Sequence, residues 1–155
     1  MHPGCLAALG WASLVAAWAC GPAWQVTADD RFQDLLRSPD SVSLVTEAGR
    51  VELAREGDVW KGAGLEVVTI ARDGGLEVEL SAPGEAVKSL DLRWTGSFPA
   101  EWKYLGDAWE RSYGELEWGP LDPAREMPWY FLASDGTMTH GYGVMTQPAA
   151  MCAWR

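Results

Sequence analysis

Two stretches of this chain alternate apolar and charged residues without a break. In Leu76-Glu77-Val78-Glu79-Leu80 and in Leu90-Asp91-Leu92-Arg93-Trp94, an extended backbone puts every apolar side chain on one side and every charge on the other. A helix would spread the same residues around its circumference, so the pattern demands half-buried antiparallel strands. Turn signals fall between the extended runs, at Ala48-Gly49, Asp73-Gly74 and Asp135-Gly136, where Gly supplies the positive φ of tight hairpins. Read as a two-residue loop, Asp73-Gly74 sets Ala71 opposite Leu76, Thr69 opposite Val78 and Val67 opposite Leu80, with Leu65, Val67, Val78 and Leu80 on one core face. The same reading of Ala48-Gly49 sets Leu44 opposite Leu53. At Asp135-Gly136 it sets Ala133 opposite Met138, Phe131 opposite His140 and Trp129 opposite Tyr142, a largely aromatic side. Helical spacing occurs once, at residues 29–37 (DDRFQDLLR), where Phe32, Leu35 and Leu36 share a face before Pro39. The expected fold is all-β, an antiparallel two-sheet β-sandwich of seven or eight strands with at most one short helix near residues 29–37.

The ends differ from this body. Every Asp, Glu, Lys and Arg lies at or beyond Asp29, and residues 5–20 form an apolar run closed by Gly21-Pro22. Residues 1–22 therefore read as an apolar leader and residues 23–155 as the sandwich. The run is shorter than the roughly 20 residues of a spanning helix, so no stable membrane span is expected. Ala17-Trp18-Ala19 has the small-x-small form of a signal-peptide cleavage site, yet no Lys or Arg precedes the run. A cleaved signal peptide, an upstream start-site artefact and a buried first segment all fit; only the first implies a secreted or periplasmic protein. Cleavage after Ala19 would leave Cys20 and Cys152 able to pair, whereas otherwise Cys5, Cys20 and Cys152 read as apolar thiols. Residues 149–155 (AAMCAWR) are mostly apolar, like a strand interrupted before its turn, so Arg155 reads as a truncation point of the sandwich, although a terminus tucked into a sheet would look the same.

Composition removes several functions. A net charge of −10 opposes binding to nucleic acid or an anionic membrane surface. At 155 residues the chain is too short for a catalytic (β/α)8 barrel, which takes about 250. There is no GxGxxG or Walker loop and only His2 and His140 among histidines, so no cofactor and no metal centre is expected. His140 reads as a packed imidazole, and no GxSxG elbow supports a Ser-His-Asp triad.

Tryptophan is in excess, at 10 of the 17 aromatic residues. Between residues 102 and 118, Trp102, Tyr104, Trp109, Tyr113 and Trp118 are interleaved with Asp107, Glu110, Arg111, Glu115 and Glu117. Sugar sites use that mixture: aromatic faces cover the C–H side of a pyranose while carboxylates and Arg bond its hydroxyls. The competing explanation is that the Trp residues fill the core and the acids form a wet strand face. Glu115 and Glu117 share a strand face about 7 Å apart, a spacing compatible with paired carboxylate chemistry and common by chance.

Three segments carry a resemblance. Gly106-Asp107-Ala108-Trp109-Glu110-Arg111-Ser112-Tyr113-Gly114-Glu115-Leu116-Glu117-Trp118, Met127-Pro128-Trp129-Tyr130-Phe131-Leu132-Ala133-Ser134-Asp135-Gly136-Thr137 and Thr139-His140-Gly141-Tyr142-Gly143-Val144 resemble the amino-terminal region of bacterial α-galactosidases of the melibiase type. The resemblance implies a β-sandwich packed on a catalytic (β/α)8 barrel that holds the two catalytic aspartates. No catalytic residue is assigned in this chain, and alone it is expected to be inactive. By the same analogy Asp107, Trp109, Glu110 and Arg111 are the candidate substrate-binding edge, with an α-galactoside as ligand and the barrel as packing partner. Met138, Met145 and Ala153 depart from the charged or bulkier residues expected in relatives. A free-standing carbohydrate-binding module and a ligand-free interaction domain are the alternatives.

Overall fold

In a computed structural model of the chain, the described residues are 12–16, 35–72, 75–96, 99–107, 117–146 and 150–155. Thirteen strands and no helix occur among them: β1 (Ala12–Ala16), β2 (Ser41–Thr46), β3 (Gly49–Glu52), β4 (Ala54–Glu56), β5 (Val59–Gly62), β6 (Leu65–Arg72), β7 (Gly75–Ser81), β8 (Val87–Arg93), β9 (Lys103–Gly106), β10 (Met127–Pro128), β11 (Tyr130–Ser134), β12 (Thr139–Thr146) and β13 (Ala153–Trp154). Eight form one antiparallel sheet in the order β4-β5-β6-β7-β1-β12-β11-β9, and its inner face is covered by two smaller sheets, β3-β2-β8 and β10-β13. The fold is all-β and sandwich-like, with its second layer split in two. Of the expected helix, residues 29–34 lie outside the described residues, and Leu35 and Leu36 form a turn.

The alternating stretches form strands in the expected register where the loop is short. Ala71 faces Leu76, Thr69 faces Val78 and Val67 faces Leu80. Leu65, Val67, Leu76 and Val78 meet Val42 and Leu44 of β2 and Trp60 of β5 in one buried apolar core; burying each such side chain contributes about 1.5–3 kcal/mol. The one buried polar residue at its centre is satisfied: Thr69 Oγ1 lies 3.1 Å from Ser38 Oγ and accepts from the Trp60 indole at 3.4 Å.

Two expected registers are corrected. Leu44 faces Val51, not Leu53, because the loop is Glu47-Ala48. Thr46 Oγ1 accepts from the Ala48 amide at 3.1 Å and closes the turn one residue early, leaving Gly49 at φ 125° to open β3. In the last hairpin, Phe131 faces Tyr142 and His140 faces Ala133, because the loop spans the four residues 135–138. Asp135 Oδ1 accepts from the amides of Thr137 (2.7 Å) and Met138 (2.8 Å), a side-chain-closed turn wider than a two-residue hairpin.

A second core joins the other half of the large sheet to β10-β13. Phe131 stacks on Tyr142 at 4.9 Å between centroids and meets Trp154 edge-on at 5.1 Å, geometries that add about 0.5–1.5 kcal/mol beyond area burial. Gly106 permits the close approach of Met127, since a Cβ there would clash with Met127 Cγ, Sδ and Cβ. Trp94, one residue past β8, packs against both cores and donates its indole N–H to the Arg37 carbonyl at 2.9 Å. Beside it the Arg37 guanidinium grips Asp40 through two bonds, at 2.7 and 2.8 Å, and holds that carboxyl well below the usual carboxylate range. In the large sheet the halves meet through β1, which lies in the apolar amino-terminal segment and pairs with both β7 and β12.

Candidate functional site

The last hairpin and the edge of β9 together make a groove. Strand β9 would present an open edge, but residues after 116 return along it, and Tyr104 and Gly119 exchange two backbone hydrogen bonds at 2.7 and 3.0 Å. Arg125 ties the same segment down by donating to the Gly106 carbonyl at 3.0 Å. This covering protects the edge from pairing with another chain and fixes Trp118, whose side chain remains 42% exposed. Facing it across the sheet end, the 135–138 loop is held by the Asp135 turn bonds and by Ser134 Oγ, which donates to the Met138 carbonyl at 2.8 Å and accepts from Gly136 N at 3.2 Å. Gly136 takes φ 89°, which a side chain would strain.

Between these walls lies an open groove of about 350 Å³ lined by Glu101, Lys103, Trp118, Ser134, Asp135 and Gly136. It offers an exposed indole, a cation and two carboxylates, while the Ser134 hydroxyl is already bonded within the loop. Under its floor Tyr104 is buried. Burial first, and then the negative charge of Glu101, pushes its phenol pKa up to about 12. The groove can therefore bond several hydroxyls and cover one apolar face of a ligand. Among the described residues no cluster of His, Cys, Asp or Glu could hold a metal ion, and no helix is long and apolar enough to cross a membrane.

The residues singled out in the sequence are distributed unevenly. Asp107 is buried directly after β9, its amide donating to the Tyr130 carbonyl at 3.5 Å. It stands at the opposite end of β9 from Lys103, about 13 Å along the strand, and does not line the groove. Trp109, Glu110 and Arg111 lie outside the described residues, as do Glu115, Tyr113 and Cys20. Trp102 and Tyr104 belong to the core, at 3% and 2% exposure, so for these two the packing explanation holds. His140 is half-buried opposite Ala133. Cys152 is a half-buried thiol whose pKa is pushed up by burial.

Trp118 lies within the aromatic and acidic segment but is not among the candidate edge residues, Asp135 and Gly136 read only as turn chemistry, and Ser134 enters only through the resemblance. The signal available for them was the position of an Asp-Gly loop at the end of an aromatic hairpin. Glu101 and Lys103 carried no signal.

One strained residue stands at the opposite end of β11 from the groove. Trp129 has φ 64°, costing about 1–3 kcal/mol for a residue with a side chain. Its amide donates to Cys152 O at 3.1 Å and its carbonyl accepts from Val144 N at 2.8 Å. These bonds hold the kink by which the chain leaves the β10-β13 sheet and enters β11. No protein-family model, curated protein or solved structure matches the chain.

Proposed function

We propose that the chain is a non-catalytic, carbohydrate-binding β-sandwich of the kind that accompanies the catalytic barrel in melibiase-type α-galactosidases, with α-galactosides as its sugars. The observation that carries this reading is the groove beside Trp118, where one exposed indole faces Lys103, Glu101, Ser134 and Asp135. A pyranose has an apolar C–H face and a rim of hydroxyls, which are the two chemistries the groove offers. The turn and edge bonds hold the loop and the Trp118 backbone before any ligand arrives, which lowers the ordering cost of binding. The segments that resemble α-galactosidases, 106–118 and 127–144, contribute Trp118, Ser134, Asp135 and Gly136 to the groove.

In this reading the barrel aspartates do the chemistry and this chain supplies a sugar contact beside them. Titration calorimetry of the full chain against a panel of monosaccharides should show binding of methyl α-galactoside, and an assay for galactose release should show no turnover. Silence across the panel contradicts the sugar reading, and turnover contradicts the non-catalytic one.

A further inference from the structure

The short strand β13 is held mainly by its aromatic side chain. Its ladder is Met127 opposite Trp154 and Pro128 opposite Ala153, and among the described residues it pairs with no strand but β10. The β6–β7 ladder, by contrast, runs for seven pairs. Beyond β13, Arg155 reaches Glu126 at 2.7 Å, but the Arg side chain is 70% exposed and such a pair contributes little. The Trp154 ring supplies the rest. It meets Phe131 edge-on at 5.1 Å and lies 6.3 Å from Trp94 and 6.5 Å from Tyr142.

Two independent features oppose this seat. The Trp154 indole N–H is buried without a hydrogen-bond partner, and a buried donor left unmade keeps its full desolvation cost. Trp129, the residue after β10, is held at φ 64°, a conformation that a residue with a side chain leaves when its restraints are removed. One of those restraints is the bond from its amide to Cys152 O at 3.1 Å, immediately before β13. Departure of one short segment therefore relieves both: the indole reaches water, and Trp129 keeps only its bond from the Val144 amide.

We propose that residues 152–155 form a strap that opens locally while both cores stay folded. Closed, the strap packs Trp154 against the Phe131–Tyr142 stack and beside Trp94. Open, it uncovers those rings and lets Trp129 return to extended backbone. Native proteins open in such units below the free energy of global unfolding, and elements with few backbone bonds open first. The strap is independent of what the Trp118 groove binds.

The test is hydrogen exchange of single amides in the full chain, followed by NMR. The Trp129 amide bonds to the strap at Cys152 O, and the Val144 amide bonds to the Trp129 carbonyl, so the two bonds flank one residue and only the first belongs to the strap. The Trp129 amide should be at least about tenfold less protected than that of Val144. Trp129→Gly and Trp129→Ala remove the same side chain, but only glycine is unstrained at this φ. The residue-129 amide should be about threefold or more better protected in the Gly variant than in the Ala variant, with Val144 alike in the two. Equal protection of Trp129 and Val144 in the unmodified chain overturns the proposal, as does a pair of folded variants in which residue 129 is equally protected or both amides shift together. The comparison in the unmodified chain needs no variant, so it decides even where a substitution prevents folding.

Discussion

The two halves of the large sheet are built on different principles. The β4–β7 half and its β3-β2-β8 cover are held by interdigitated Val and Leu, with charges confined to the outer face and edges. The β12-β11-β9 half is held by aromatic stacking and by a glycine that admits Met127. The first half spends its residues on stability. Each half holds one non-glycine residue at positive φ, Ala63 in the first and Trp129 in the second, but it is the second that leaves Trp118 exposed, and there the groove lies.

The sharpest way to break the comparison is to remove one core residue from each half. Phe131→Ala should cost about 3–5 kcal/mol and Leu44→Ala about 2–5 kcal/mol in denaturant unfolding. If Trp94 and β1 couple the halves, each variant unfolds in a single transition. Two separated transitions in either would mean that the halves are independent units.

A smaller effect tests the close approach in the second half. Gly106→Ala forces Met127 to shift, and overpacking of this kind costs about 1–3 kcal/mol. Combining it with Met127→Ala should recover part of that loss, which a double-mutant cycle would read as coupling between the two sites. Strict additivity would mean that the two residues do not meet.

The alkaline limb provides a milder probe. Tyr104 is protonated and buried in the folded state with its pKa raised from 10.0 to about 12. Its contribution is complete below pH 10 and is lost as pH rises toward 12, because the unfolded phenol ionises first. The loss is roughly 1–2 kcal/mol. Melting temperatures across that window should fall less steeply in Tyr104→Phe, and an unchanged slope would place the alkaline sensitivity elsewhere.

The same contrast explains what was legible in the sequence. Alternation at Leu76–Leu80 and Leu90–Trp94 identified the strands and the inner face of the first half, because period two is a direct consequence of burying one side. The β6–β7 register followed from a short loop. Registers failed where a side chain took over the turn, at Thr46 and at Asp135, since such bonds shift a loop by one or two residues without changing its composition. The β5–β6 turn, Ala63-Gly64, carries the same dipeptide as Ala48-Gly49 and is not read as a turn in the sequence; Gly64 takes φ 77° there, and Ala63 adopts φ 50° where Gly or Asn is the usual choice.

The site was legible only as a mixture of residue types. Trp102, Tyr104 and Trp118 look alike in sequence, and alternation hides that Gly119, not Trp118, pairs with Tyr104 and turns the indole outward. Asp135 serves the turn and lines the groove at once, so its turn role concealed the second one. Lys103 and Glu101 join them only through the sheet order β11-β9, which no local pattern encodes.

The central claim is that the aromatic half presents a sugar site at Trp118. Its most direct test is calorimetry of methyl α-galactoside with the unmodified chain and with Trp118→Ala, alongside their melting temperatures. Removing an exposed side chain should change stability by no more than about 0.5 kcal/mol while weakening binding by about 2 kcal/mol or more, as expected for an aromatic anchor. Equal binding by the two proteins would contradict the account.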